Sequence, residues 1–187
     1  MSWLLLILGV ALWWGAHLYK RVAPDKRAMM EDNQAKMMVT GGLVAAVVLM
    51  VVGYRAAPFV EIWSPPSFLR HINNLIILIA IYMMSPAPKK GALLNGMRHP
   101  MLAGFSLWAI AHLLVNGDLA GIILFGGLLG WSLVTPGIIN RAEPDWTPPE
   151  AGSIAKDAMF LAASVVLLVV IGFIHGWLGY PVFGSGQ

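Results

Sequence analysis

From Asp157 to Gly179 the chain reads DAMFLAASVVLLVVIGFIHGWLG, and after Asp157 no charged side chain interrupts it. A helix rises about 1.5 Å per residue and bilayer hydrocarbon is about 30 Å thick, so roughly 20 apolar residues make a membrane span. The apolar residues show no sustained period-two alternation, which favours a helix over a transmembrane barrel strand. Outward from this stretch, similar blocks occur near Ser2–Tyr19, Val39–Ala57, Leu69–Met84, Met101–Asn116 and Leu119–Pro136. The expected fold is all-α: a polytopic transmembrane helix bundle of about six helices, forming a single transmembrane domain over residues 1–187. Composition agrees. The chain is 58% hydrophobic and 11% charged, against about 25% charged in soluble domains.

The breakers fall between these blocks. Ser64-Pro65-Pro66-Ser67 separates the second and third, and Pro86-Ala87-Pro88-Lys89-Lys90-Gly91 the third and fourth. Asn116-Gly117-Asp118 reads as a tight turn, and Arg141 to Lys156 as a polar, proline-containing loop. Ten of the twelve Lys and Arg residues lie in the first, third and fifth connections; Arg55 and Arg70 lie on the other side. Cytoplasmic loops are enriched in Lys and Arg, so both termini are expected to face outward. No basic residue precedes the first apolar stretch, which therefore reads as an uncleaved helix.

The lipid bilayer is thus the first expected partner, with other membrane subunits as further candidates. Topology accounts for the basic residues, and nothing points to nucleic acid. There is no cysteine. Disulfides, thiolate catalysis, iron–sulfur ligation and covalent haem attachment are therefore excluded.

Histidines carry the remaining chemistry. Carboxylates fall in loops or at helix ends, whereas titratable groups at membrane depth are costly and usually paired or functional. His17 lies late in the first block, near Trp13 and Trp14. His112 follows Trp108 by one turn, and Trp108, His112 and Asn116 share a helical face at i, i+4 and i+8. His71 begins the third block beside Arg70. His99 sits between Arg98 and Pro100, where Arg98 and His99 form a candidate anion site for headgroup phosphate. His175 beside Trp177 reads as an interface residue. A structural hydrogen-bonding role is open for each of them.

Arg98-His99-Pro100-Met101-Leu102-Ala103-Gly104, followed by the run from Leu107-Trp108 through His112 to Asn116-Gly117-Asp118, resembles the signature of the NnrU family. Gly15-Ala16-His17-Leu18 and Trp63-Ser64-Pro65-Pro66-Ser67-Phe68-Leu69-Arg70-His71 are similar to two further family segments, in order, over residues 1 to about 140. Bacterial members are associated with denitrification, specifically nitric oxide and nitrite reduction. A plant relative is the zeta-carotene isomerase, a haem b protein. The resemblance implies a bacterial inner-membrane protein, multi-pass with periplasmic termini, that binds haem b through His17 and His112 as metal ligands. Its implied role is accessory or redox. The isomerase's alternative cysteine ligand corresponds to Ala109 here, so a ligand switch is not carried over. Other readings stay open: a membrane isomerase acting on a polyene such as a carotenoid, a methyltransferase using the Arg98-His99-Pro100 segment, or a cofactor-free subunit of a larger membrane complex. The residues do not show turnover.

Depth offers a different ligand pair. His17 is about fifteen residues, or roughly 22 Å, from the outer end of its span, and His112 only about four, or roughly 6 Å. On straight helices His71 and His112 are closer in level, which makes His71 the alternative ligand.

Overall fold

The computed structural model describes residues 1–183. Among these the chain forms α1 (Ser2–Val22), α2 (Pro24–Ala28), α3 (Asp32–Ala56), α4 (Leu69–Met84), α5 (Ala87–Lys90), α6 (Pro100–Val115), α7 (Leu119–Ala142) and α8 (Ile154–Trp177). The one extended pairing among the described residues is an isolated antiparallel bridge between Glu61 and Asp118.

Four helices, α1, α3, α7 and α8, are long and apolar enough to cross a membrane. The count of full-length spans is therefore four, not six. The expected third and fourth spans, α4 and α6, are apolar but only 16 residues each, about 24 Å of helix. Proline-rich segments precede both helices, and Ser85 and the Asn116-Gly117 turn end them. The long helices turn apolar side chains outward: Val166 is 63% exposed and Phe173 71%. Water would penalise such a surface, and lipid does not.

Two boundaries differ from the sequence pattern for identifiable reasons. The α3 helix begins at Asp32, well before the apolar block, because a helix can continue past the hydrocarbon into the headgroup region. The α7 helix runs through Pro136 to Ala142. A proline removes one helical hydrogen bond, a loss that transmembrane helices tolerate. Near its start α7 contains a π turn at Ile122–Gly126.

The residues form two compact units. The first comprises Met1–Ser64 and Asn116–Pro144. Here α1 and α3 pack along a seam of small residues. A Cβ on Gly9 would meet Met50 N at 2.7 Å, and one on Gly53 would overlap Leu6 N. The α7 helix joins α1 through glycines: Gly127 lies against Val10 and Gly130 against Trp14, whose indole N–H donates to Gly127 O at 2.9 Å. The chain after α3 returns beside the start of α7, with Ile62 N–H donating to Gly117 O at 2.7 Å and Leu119 N–H to Val60 O at 2.9 Å. Asp118 caps α7 by accepting from Gly121 N–H at 2.8 Å.

The second unit comprises Pro65–Val115 and Asp145–Gln187. Its core gathers Ile77 and Ile81 of α4, Ala111 and Trp108 of α6, and Leu168 and Ile171 of α8. Gly104 lets α6 approach α4, since a Cβ there would lie 2.9 Å from Ala80 O. At one end of this unit, Asp157 joins α8 to the connection after α4. It is 3% exposed. Its Oδ1 accepts from Tyr82 Oη at 2.6 Å, and its Oδ2 from Ala92 and Leu93 N–H at 2.7 and 3.2 Å. Gly152 N–H donates to Gly91 O at 2.9 Å beside it, so the proline-containing loop before α8 is anchored.

Candidate histidine sites

The sequence Trp-x-x-x-His occurs at Trp13–His17 in the first unit and at Trp108–His112 in the second. Four residues along a helix place two side chains on one face, one turn apart. Both pairs adopt nearly the same geometry. The His17 ring lies 4.3 Å from that of Trp13 at 45°, and the His112 ring 4.7 Å from that of Trp108 at 48°. Each Nδ1 meets the carbonyl oxygen of its own tryptophan, at 3.0 Å for His17 and 2.8 Å for His112. A carbonyl only accepts, so Nδ1 must carry the proton. In the neutral ring the lone pair then resides on Nε2. The backbone bond fixes both tautomer and ring orientation, as supporting bonds do for metal-bound histidines.

The surroundings differ. In the first unit α7 brings Trp131, 5% exposed, against both partners: its ring is 4.5 Å from His17 and 5.5 Å from Trp13, edge-on to the latter at 81°. His17 is half-buried between two indoles. In the second unit Asn73, itself 8% exposed, ties α4 to the turn carrying His112. With its amide oriented to satisfy both ends, Asn73 donates to Ala111 O at 2.9 Å and accepts from Asn74 N–H at 3.2 Å. Trp108 is also within 5.0 Å of Phe105, ring to ring.

The family model described as NnrU protein matches residues 5–182. The chain belongs to the NnrU family. The match extends past residue 140, where the resemblance in sequence motifs stops, and through α8. No curated protein and no solved structure matches the chain.

In this NnrU chain the sequence-derived candidates are distributed as follows. His17 belongs to the first unit and His112 to the second. His71 is exposed on the first turn of α4, with its N–H donating to Phe68 O at 3.1 Å. Arg98 and His99 are half-buried ahead of α6, where His99 O accepts from Ala103 N–H at 3.0 Å. Asn116 leaves the expected face of α6, because that helix ends at Val115 and the Asn116-Gly117 turn follows. Ala109, at the position of the isomerase's cysteine, is fully buried.

His175, half-buried in the last turn of α8, places its Nδ1 2.8 Å from Ile171 O. A helical i−4 carbonyl was the available signal for this bond. Trp131 carried no such signal, since its place beside His17 depends on how α7 packs on α1. Among the described residues no group of three or more His, Asp or Glu side chains is arranged to hold a bare metal ion.

Proposed function

We propose that this chain is a haem-binding inner-membrane protein of the NnrU type, with an accessory or redox role in nitric oxide or nitrite reduction. The observation that carries the reading is the shared state of His17 and His112. In each, the bond from Nδ1–H to the tryptophan carbonyl leaves Nε2 as a basic, oriented nitrogen beside an indole face. This donor chemistry fits haem iron. Bound haem would supply one-electron chemistry.

The protein's own part is to present imidazole, hold its ring angle and exclude water. Trp13 and Trp131 wall His17, and Trp108 walls His112. Neutral imidazole adds no charge to the bilayer, where charge is expensive. His71 on α4 is the alternative ligand favoured by depth. The proposed topology places both termini on the periplasmic side, as the distribution of Lys and Arg indicates.

The test is the absorption spectrum of full-length protein produced with ample haem. A Soret band is expected in the wild type. His17→Ala and His112→Ala should each lose haem or convert it to a five-coordinate, high-spin form, with the size-exclusion profile unchanged. A colourless wild-type protein would end the haem reading. Full retention of the wild-type spectrum in His112→Ala would remove that ligand, and loss on His71→Ala alone would transfer its role to His71.

A further inference from the structure

The connection between the first two long helices carries a site that the histidine chemistry does not use. The α1 helix ends in Lys20-Arg21-Val22, Ala23 breaks it, and Pro24 starts the short α2. After Met29 and Met30 the chain enters α3 at Asp32. Together these segments enclose an open recess of about 300 Å³ lined by Lys20, Pro24, Arg27, Ala28 and Asp32.

The recess is held in shape. Tyr19 Oη donates to Met30 Sδ at 3.6 Å, tying the turn back to α1. Arg27 N–H donates to Ala23 O at 3.0 Å and Met29 N–H to Asp25 O at 3.1 Å. Asp32 Oδ1 accepts from an Arg27 Nη at 2.7 Å, which fixes the direction of the guanidinium on a side chain 22% exposed.

Its charge selects the ligand. Lys20 and Arg27 face one carboxylate, and Lys36, one turn into α3, adds its field at Asp32. The local balance is positive even after the Arg27–Asp32 pair is counted. A divalent cation would find one carboxylate already engaged by a guanidinium. An anion would find an ammonium and the remaining N–H groups of a planar fork, with Pro24 and Ala28 as an apolar floor. Arg21, by contrast, is committed to Glu143 at 2.7 Å.

Location narrows the class further. Lys20 is in the last turn of one apolar span and Asp32 is the first residue of the next. The recess therefore lies where two spans leave the hydrocarbon, the level at which lipid phosphates sit. Guanidinium and ammonium groups bind phosphate oxygens through charge-assisted hydrogen bonds.

We propose that this recess binds a phosphate-bearing anion, with Lys20 and Arg27 as the binding residues and Asp32 positioning Arg27. The same chemistry is offered by an anionic lipid headgroup and by free phosphate.

The experiment uses delipidated full-length protein in a neutral detergent. It is titrated with short-chain phosphatidylglycerol, short-chain phosphatidylcholine or sodium phosphate, and read by native mass spectrometry and thermal unfolding. Wild-type protein should retain phosphatidylglycerol and unfold at higher temperature with it, and phosphatidylcholine should do neither. Arg27→Gln and Lys20→Gln should each weaken retention about tenfold. Lys26→Gln removes an equal charge from the same connection but does not line the recess, and should change retention less than twofold. Lys20→Gln breaks no ion pair, so it remains informative if Arg27→Gln perturbs the fold. Sodium phosphate that displaces phosphatidylglycerol, and itself stabilises the wild type but not Lys20→Gln, identifies free phosphate as a ligand. Phosphatidylglycerol binding that phosphate does not displace identifies the headgroup. Three results each overturn the proposal: no binding of either anion, equal retention of phosphatidylcholine, or a loss in Lys26→Gln matching that in Lys20→Gln.

Discussion

Replacing Gly53 by alanine tests the helix seam on which the first unit rests. A Cβ at Gly53 would overlap Leu6 N and lie 2.8 Å from Leu6 Cα and 3.0 Å from Leu5 C. Ordinary van der Waals separations for a Cβ begin at 3.4 Å, so clearing Leu6 Cα alone opens α1 from α3 by about 0.6 Å, the difference between the two distances. The obstructing atoms are backbone, so no rotamer change relieves them. A gap of 0.5–1 Å forfeits roughly a quarter to a half of each dispersion interaction along the seam, and overpacking of this kind costs about 1–3 kcal/mol. Alanine also gains about 1 kcal/mol of helix propensity over glycine, which partly masks the loss. Gly41 supplies the reference: it lies in the same helix, and a Cβ there meets nothing within 4 Å. Gly41→Ala should therefore leave stability unchanged or improved. Gly53→Ala should fall below it by about 2 kcal/mol, or roughly 4–8 °C in Tm for a chain of this size. Thermal unfolding of both variants, followed by far-ultraviolet circular dichroism in one detergent, reads this difference. Equal melting temperatures would refute the close crossing of α1 and α3. Rescue of Gly53→Ala by Leu6→Ala would show that a side chain, not the backbone, is the obstacle.

The Asp157 clasp predicts a local effect. Asp157→Asn presents an N–H₂ either to Tyr82 Oη or to the Ala92 and Leu93 N–H groups, so trypsin should cut after Lys89 and Lys90 faster than in wild type, with Tyr82→Phe intermediate; unchanged cleavage in Asp157→Asn would remove the clasp's role in anchoring this connection. The charge distribution predicts that a phosphatase active only outside the cytoplasm works when fused after Gln187, and activity there of a reporter restricted to the cytoplasm would reverse the assigned orientation.

The local parts of the candidate sites were legible in sequence. Trp13–His17 and Trp108–His112 are four-residue spacings within helices, and helical geometry alone puts each pair on one face. The partners from other helices were not legible. Trp131 reaches His17 by the packing of α7 on α1, and Asn73 reaches the turn bearing His112 by the crossing of α4 and α6.

Sequence alone determined that this is an all-helical chain with lipid-crossing segments, because apolar length is a local property and the bilayer sets the required length. It also carried the motifs of the NnrU family, whose match spans residues 5–182. Tertiary structure decided that α7 continues through Pro136 to Ala142 and that Asp157 is buried against the connection after α4. It also formed the Lys20–Arg27–Asp32 recess from three successive segments. The physical reason is rotational. A helix apolar around most of its circumference gives its neighbours no hydrophobic stripe to read, so the facing side is chosen by small residues such as Gly9, Gly53 and Gly104 and by a few buried hydrogen bonds.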